Sequence, residues 1–332
     1  MWLRCAGRPA EHERVGWLSW RPAADDYFGR GTTTPCGEWR MHTTMNDGWE
    51  AVVGRRVRKE IASRAMAAAP DLLKAVRPII FYDERECPHI EGSCVLLQIG
   101  KYRFLLTAAH VLDSRHQLYV AGEKEAFSLQ GPKYSTNPPA SKSRSEDKLD
   151  VAIIELAAEY DTALGNVRFL TVVDLDVDEQ PMLGPSVKSK YLVLGYPATG
   201  LKRDLKRRVI VPEPFIYTAN PRSDAEYRDL GLTIPSHLVV EFNRRRVLGT
   251  EGQRTARKPQ GISGGGIWRF DSLLGDEAAA NRLVALNIEW LAGARRVLWG
   301  TRVAVALEMI RARYPHLSSL IPRSRVLKVN VR

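Results

Sequence analysis

The chain has 332 residues, 44% of them apolar, which is enough for one large domain or two ordinary ones and excludes wholesale disorder. No stretch approaches the roughly 20 apolar residues of a bilayer-spanning helix, the N-terminus lacks the apolar core of a secretory signal, and four cysteines (Cys5, Cys36, Cys87, Cys94) are too sparse for a disulfide framework, so a cytoplasmic protein is expected. The net charge of +11 gathers in runs such as residues 55–59, 202–208, 244–246 and 254–258, but no nucleic-acid-binding module accompanies them and a solvated basic surface is expected instead.

Residues 1–45 hold Trp2, Trp17, Trp20 and Trp39 without any sustained period. They are expected to be an irregular leader, either untranslated, with initiation at Met41 or Met45, or disordered. Residues 46–77 read as a helical extension of one or two helices, rich in Ala, Leu, Glu, Arg and Lys, with Pro70 starting a second set of turns. From residue 78 the pattern changes to short apolar or alternating runs, among them GSCVLLQIG, YRFLLTAA, DVAIIEL, KYLVLGYP, HLVVEF, RLVALNIEW and VLWGTRV. Many short strands without interleaved helices predict antiparallel barrels or sandwiches and argue against a doubly wound sheet. The run VAVALEMIRARY predicts a closing C-terminal helix. The β-rich unit is set at 78–318 and a C-terminal tail at 319–332; no repeat of fixed period is present.

Three short signals stand out in order. In FLLTAAHVLD, His110 follows an apolar strand, which would hold an imidazole rigidly at a rim. In KLDVAIIEL, Asp150 precedes an apolar run, so its carboxylate would be half covered and in need of a donor. Asp147 is a weaker candidate because no strand follows it directly. In GISGGG, Ser263 lies among glycines, which let backbone amides turn toward one point and let a ligand approach closely. A serine there can act as a nucleophile if a base removes its proton. His237 and His316 lack such surroundings. His89 and Cys94 could pair as base and nucleophile, but Cys94 sits in an apolar strand and reads as a core residue.

The three motifs, in this order and at this spacing, resemble those of the chymotrypsin/trypsin-like serine proteases over roughly residues 78–315, with GTRVAVALEMI similar to the last strand and helix. The resemblance implies two antiparallel six-stranded-type β-barrels with the active site between them, of the bacterial, non-secreted type. It implies a serine endopeptidase in which Ser263 attacks a peptide carbonyl, His110 moves the proton and Asp150 orients the imidazole, with no metal or organic cofactor. The amides of Gly261 and Ser263 would form the oxyanion hole. A protein or peptide substrate follows, with an activating partner as an option. Arg257, six residues before Ser263, would lie at the base of the specificity pocket, with Asn287, Glu289 and Gly300 as further candidates; a cation at 257 would favour an acidic side chain, whereas Glu289 would favour a basic one or neutralise Arg257.

The chain departs from that pattern at Ile262, where activated members carry an aspartate that pairs with a newly cut N-terminus. Isoleucine cannot do so, and the oxyanion loop must be ordered in some other way. Two rivals remain. An α/β-hydrolase elbow would fit Gly261-x-Ser263-x-Gly265, but needs a buried strand before it and finds a polar, basic run. A protease fold serving as a silent binding module is the other.

Overall fold

The alternating runs fold as antiparallel strands in the computed structural model, which describes residues 3–4, 49–122, 125–138, 143–157, 160, 164–178, 190–204, 209–244, 247–249, 252–254, 259–270, 281–291 and 296–327. In chain order the elements are β1 (Leu3–Arg4), α1 (Trp49–Leu72), β2 (Val76–Tyr82), β3 (Pro88–Ile99), β4 (Tyr102–Ala108), α2 (Ala109–Leu112), β5 (Tyr119–Ala121), β6 (Ala126–Ser128), β7 (Lys133–Ser135) and β8 (Val151–Leu156). There follow β9 (Lys190–Gly195), β10 (Leu201–Asp204), β11 (Val209–Pro212), β12 (Phe215–Ala219), α3 (Asp224–Leu230), β13 (His237–Glu241), β14 (Val247–Gly249), β15 (Gly252–Arg254), β16 (Gly266–Phe270), β17 (Arg282–Leu291), β18 (Val297–Arg302) and α4 (Val303–Arg313).

Two curled antiparallel sheets carry the fold. The first has seven strands in the order β6-β5-β2-β3-β4-β8-β7 and the second six, β12-β9-β16-β17-β18-β13. The second sheet closes on itself: Pro221, just past β12, bridges Val240 of β13, and the amides of Glu241 and Arg222 donate to the carbonyls of Asn220 and Val239. Closure removes the exposed edge that an open sheet would present. The two sheets meet along a shared apolar core that includes Val95, Leu97 and Leu106 from the first and Leu194, Trp268 and Leu286 from the second. The second sheet also encloses its own cluster around Val193, Tyr217, Ile267 and Leu298.

Residues Trp49–Leu72 form one helix rather than two, with Pro70 inside its last turn. So close to the end, little of the helix is left for the missing N–H to disrupt. The helix is packed on the β-unit: Ile61, Ala65, Ala69 and Leu72 are all buried in the main core. The short strands β6, β7, β14 and β15, the pair β10 and β11, strand β12, and helix α3 were not predicted from sequence. Strands of three to five residues and a helix of two turns give a period little length in which to register. The leader at 1–45 lies outside the described residues apart from Leu3–Arg4, whose backbone pairs with β11. No helix among the described residues is long and apolar enough to cross a membrane.

Candidate active site

His110 leaves the first sheet at the end of β4, where the strand gives way to the four-residue helix α2. Asp150 lies just before β8, the neighbour of β4 in the ladder, so sheet pairing alone brings the two residues side by side. The junction is stitched by the Ala109 amide, which donates to the Asp150 carbonyl (2.9 Å), and by the His110 amide, which donates to Asp150 Oδ1 (2.8 Å). The second carboxylate oxygen, Oδ2, meets His110 Nδ1 in a short hydrogen bond. The carboxylate is covered, with 7% of its side chain exposed, whereas the imidazole keeps 40% exposed and remains open to a ligand. Asp150 adopts the left-handed φ of +44°, an uncommon conformation for a residue other than glycine.

Burial is the largest influence on the His110 pKa and presses it down. The hydrogen bond and charge of Asp150, with smaller help from Glu289 and Asp113, outweigh it, and the pKa ends above its ordinary value of 6.5. Asp147 is not part of this pair. It accepts from Thr136 Oγ1, Arg144 Nη1 and the Leu149 amide and so shapes the turn before Asp150.

Ser263 sits in the second sheet's loop 259–265, directly before β16. This loop reaches the first sheet: the Ser93 amide of β3 donates to the Ser263 carbonyl at 2.7 Å. Gly264 packs against Thr107 and Ala108, two residues from His110. The loop's backbone is polarised. The carbonyl of Gln260 accepts from the Ala198 amide (2.6 Å), that of Gly261 from Ser93 Oγ (3.0 Å), that of Ile262 from the Gly265 amide (2.9 Å) and that of Ser263 from the Ser93 amide. Among the described residues the amides of Gly261 and Ser263 donate to nothing. Every peptide bond among the described residues is trans, so the Gly261 N–H points opposite the Gln260 carbonyl, away from Ala198. Gly261 itself takes φ +91°, which glycine adopts freely.

The Ser263 hydroxyl donates to the Ile288 carbonyl at 2.8 Å, and among the described residues no hydrogen bond joins it to His110. The acceptor is available because β17 bulges at Ile288 against β18, which leaves that residue out of the register. The structure thus joins two of the predicted residues, His110 and Asp150, by direct contact, and brings the loop of the third against the strand that carries His110.

Ile262 is 1% exposed and belongs to the second sheet's inner cluster, an apolar anchor for the loop. Asn287 is buried in β17, exchanges backbone hydrogen bonds with Gly264 and Gly265, and its Oδ1 lacks a partner among the described residues. It pairs with Gly300 of β18, which is also buried and where a Cβ would meet the Leu286 carbonyl at 2.3 Å. Glu289 is exposed and its charge is felt by His110. Arg257 lies outside the described residues. Cys94 and His89 are not paired: Cys94 Sγ donates to the Arg77 carbonyl and burial pushes its thiol up to about 12, while His89 bonds Asp83.

Sequence reasoning missed the supports. Ser93 lies in EGSCVLL and reads as an ordinary strand residue; its one signal is the Gly-Ser pair inside an apolar run, a mark of close backbone approach. His237 is buried, and its Nε2 meets the Lys148 carbonyl at 2.9 Å, while Thr301 Oγ1 donates to the Leu149 carbonyl at 2.6 Å. Two residues of the second sheet thereby hold the segment that ends in Asp150.

No family model matches the chain, and no curated protein does. Among solved structures it is similar to the serine endoprotease from Yersinia pestis (13% identity, TM-score 0.44), over 76% of this chain and 65% of that one. It is also similar to neuropsin, a serine protease expressed in the limbic system of mouse brain (13% identity, TM-score 0.47), over 74% of this chain and 96% of that one. The chain therefore spans just under two thirds of the length of the Yersinia protein.

Proposed function

We propose that this chain is a serine endopeptidase that hydrolyses peptide bonds through an acyl-enzyme. One observation carries the reading. An imidazole held by a covered carboxylate stands beside a loop in which the carbonyls of Gln260, Gly261, Ile262 and Ser263 are hydrogen-bonded, while among the described residues the amides of Gly261 and Ser263 donate to nothing. Backbone donors that converge with their carbonyls turned away suit a developing oxyanion.

In this reading residues 78–318 form the protease domain, with α1 packed on it. Substrate binding turns the Ser263 hydroxyl from the Ile288 carbonyl to His110 by rotation about χ1; such catalytic hydrogen bonds often tighten only in the complex. The vacated carbonyl at the bulge then serves a backbone N–H of the substrate. His110 Nε2 takes the Ser263 proton as Oγ bonds to the scissile carbon, and Asp150 stabilises the imidazolium that results. The amides of Gly261 and Ser263 take the oxyanion, each worth about 3–4 kcal/mol. Collapse breaks the C–N bond, the amine leaves with the proton from His110, and water repeats the sequence on the ester. Of the three pocket candidates in the described residues, Glu289 is exposed and favours a cationic substrate side chain, while Asn287 and Gly300 are buried.

The test is covalent labelling with a fluorophosphonate. Labelling at Ser263 that disappears in Ser263→Ala, together with peptide cleavage by the wild type alone, is the expected result. A folded wild type that neither labels nor cleaves favours a binding module in which the Ser263–Ile288 bond is the permanent state.

A further inference from the structure

We infer that Ser93 is the positioning residue that orders the oxyanion loop, through its hydroxyl. What the loop does rests on the protease reading above; what Ser93 holds does not. Ser93 is fully buried in β3 of the first sheet, and it grips the second sheet's loop on both sides of Ile262. Its amide donates to the Ser263 carbonyl, and its hydroxyl donates to the Gly261 carbonyl at 3.0 Å. The same oxygen accepts the Tyr196 amide at 2.8 Å, and the Ser93 carbonyl accepts Thr107 Oγ1 at 2.8 Å, which ties the residue to the strand that carries His110.

The loop needs such an anchor. Gly261 (φ +91°) and Gly264 (φ +83°) flank the serine, and glycine rotates with little steric resistance. Left to itself the 260–261 peptide could turn its carbonyl toward the substrate and spoil the donor pair. Ile262, buried and apolar, supplies no charge that could fix the loop by an ion pair. Ser93 supplies the restraint instead. Its hydroxyl closes a link between Gly261 and Tyr196, and two residues beyond Tyr196 the Ala198 amide pins the Gln260 carbonyl. Both peptide planes around Gly261 are then held from outside the loop. A hydroxyl is suited to this place because it donates and accepts at once. Alanine there would orphan the half-buried Gly261 carbonyl and the buried Tyr196 amide together. The donor pair is therefore set by the fold, without cleavage of the chain and without an activating partner.

Ser93→Ala and Ser93→Cys test this by hydrogen exchange, read on peptides covering 259–265 with peptides from β4 and β8 as the folding control. Ser93→Ala is expected to speed exchange in 259–265 by about tenfold or more and to leave the control peptides unchanged, the loss of a restraining hydrogen bond. On a peptide substrate kcat should fall on the order of 10²-fold with KM little changed, as for misplacement of transition-state donors. Ser93→Cys keeps the volume with a weaker donor, and also exchanges faster in the loop. Wild-type exchange in 259–265 in a folded Ser93→Ala or Ser93→Cys protein overturns the proposal. Wild-type protein without Ser263-dependent turnover sinks the protease reading alone, since the exchange result stands apart from hydrolysis.

Discussion

Gly264 presses its bare Cα against the carbonyl of Ser93: a Cβ at this position would stand 2.1 Å from that oxygen and 2.3 Å from Thr107 Oγ1. The serine loop and the histidine strand are in direct backbone contact, and only glycine at φ +83° permits it. Gly264→Ala should therefore cost about 2–5 kcal/mol, from left-handed strain and from overlap with rigid backbone. Urea denaturation measures the loss, and fluorophosphonate labelling should fall with it. A variant of wild-type stability would show that the two sheets are further apart than described.

Asp150 makes two bonds to His110, one to its amide and one to its ring, and only the second acts on the imidazole in the proposed mechanism. Asp150→Asn keeps an oxygen for the amide but loses the charge. kcat is expected to fall on the order of 10⁴-fold at neutral pH, with the protein folded. A loss smaller than tenfold, measured on a peptide substrate, would remove Asp150 from the mechanism.

The His110 pKa lies above 6.5 because carboxylates outweigh burial. In the proposed mechanism neutral imidazole is the base, so kcat/KM should rise through a midpoint above pH 6.5. Glu289→Gln removes one of the raising charges and should move that midpoint down. For stability the sign runs the other way. A raised histidine pKa stabilises the fold most below 6.5, and the benefit is lost as pH climbs through the folded value. An unmoved midpoint in Glu289→Gln would place Glu289 out of reach of the imidazole.

His237 behaves oppositely. Its burial pushes its pKa below 6.5, so it stays neutral, with Nε2–H donating to the Lys148 carbonyl. The unfolded chain takes up a proton from about pH 6.5 downward while the folded one does not, and stability falls as pH drops through that window. Denaturant titrations at pH 7.5 and 5.5 should show this component in wild type and lose it in His237→Gln. In the same clamp, Thr301→Val leaves the Leu149 carbonyl without its donor and should cost about 1–3 kcal/mol. Equal stability would mean the carbonyl finds another partner.

Much of the site was legible because each motif is local. An apolar strand ending in Thr-Ala-Ala-His, an aspartate at the start of VAIIEL and a serine between glycines each state their chemistry within ten residues. The long strands declared themselves in the same way, since alternation over six or more residues is a strong signal. The supports were illegible because their meaning is entirely non-local. Ser93 is 170 residues from Ser263 in the chain, and nothing in EGSCVLL says which backbone it will meet.

The amino-acid sequence by itself determined the β-rich character of the protein, the closing helix and the order of its three candidate site residues, because these follow from periodicity and local residue chemistry. Tertiary structure alone decided that His110 and Asp150 meet at the ends of two paired strands, that α1 belongs to the core, that the Ser263 hydroxyl rests on the Ile288 carbonyl, and that a buried hydroxyl from the other sheet holds the loop. Hydrogen bonds between distant segments depend on how two sheets are packed face to face, and a linear pattern carries no record of that distance.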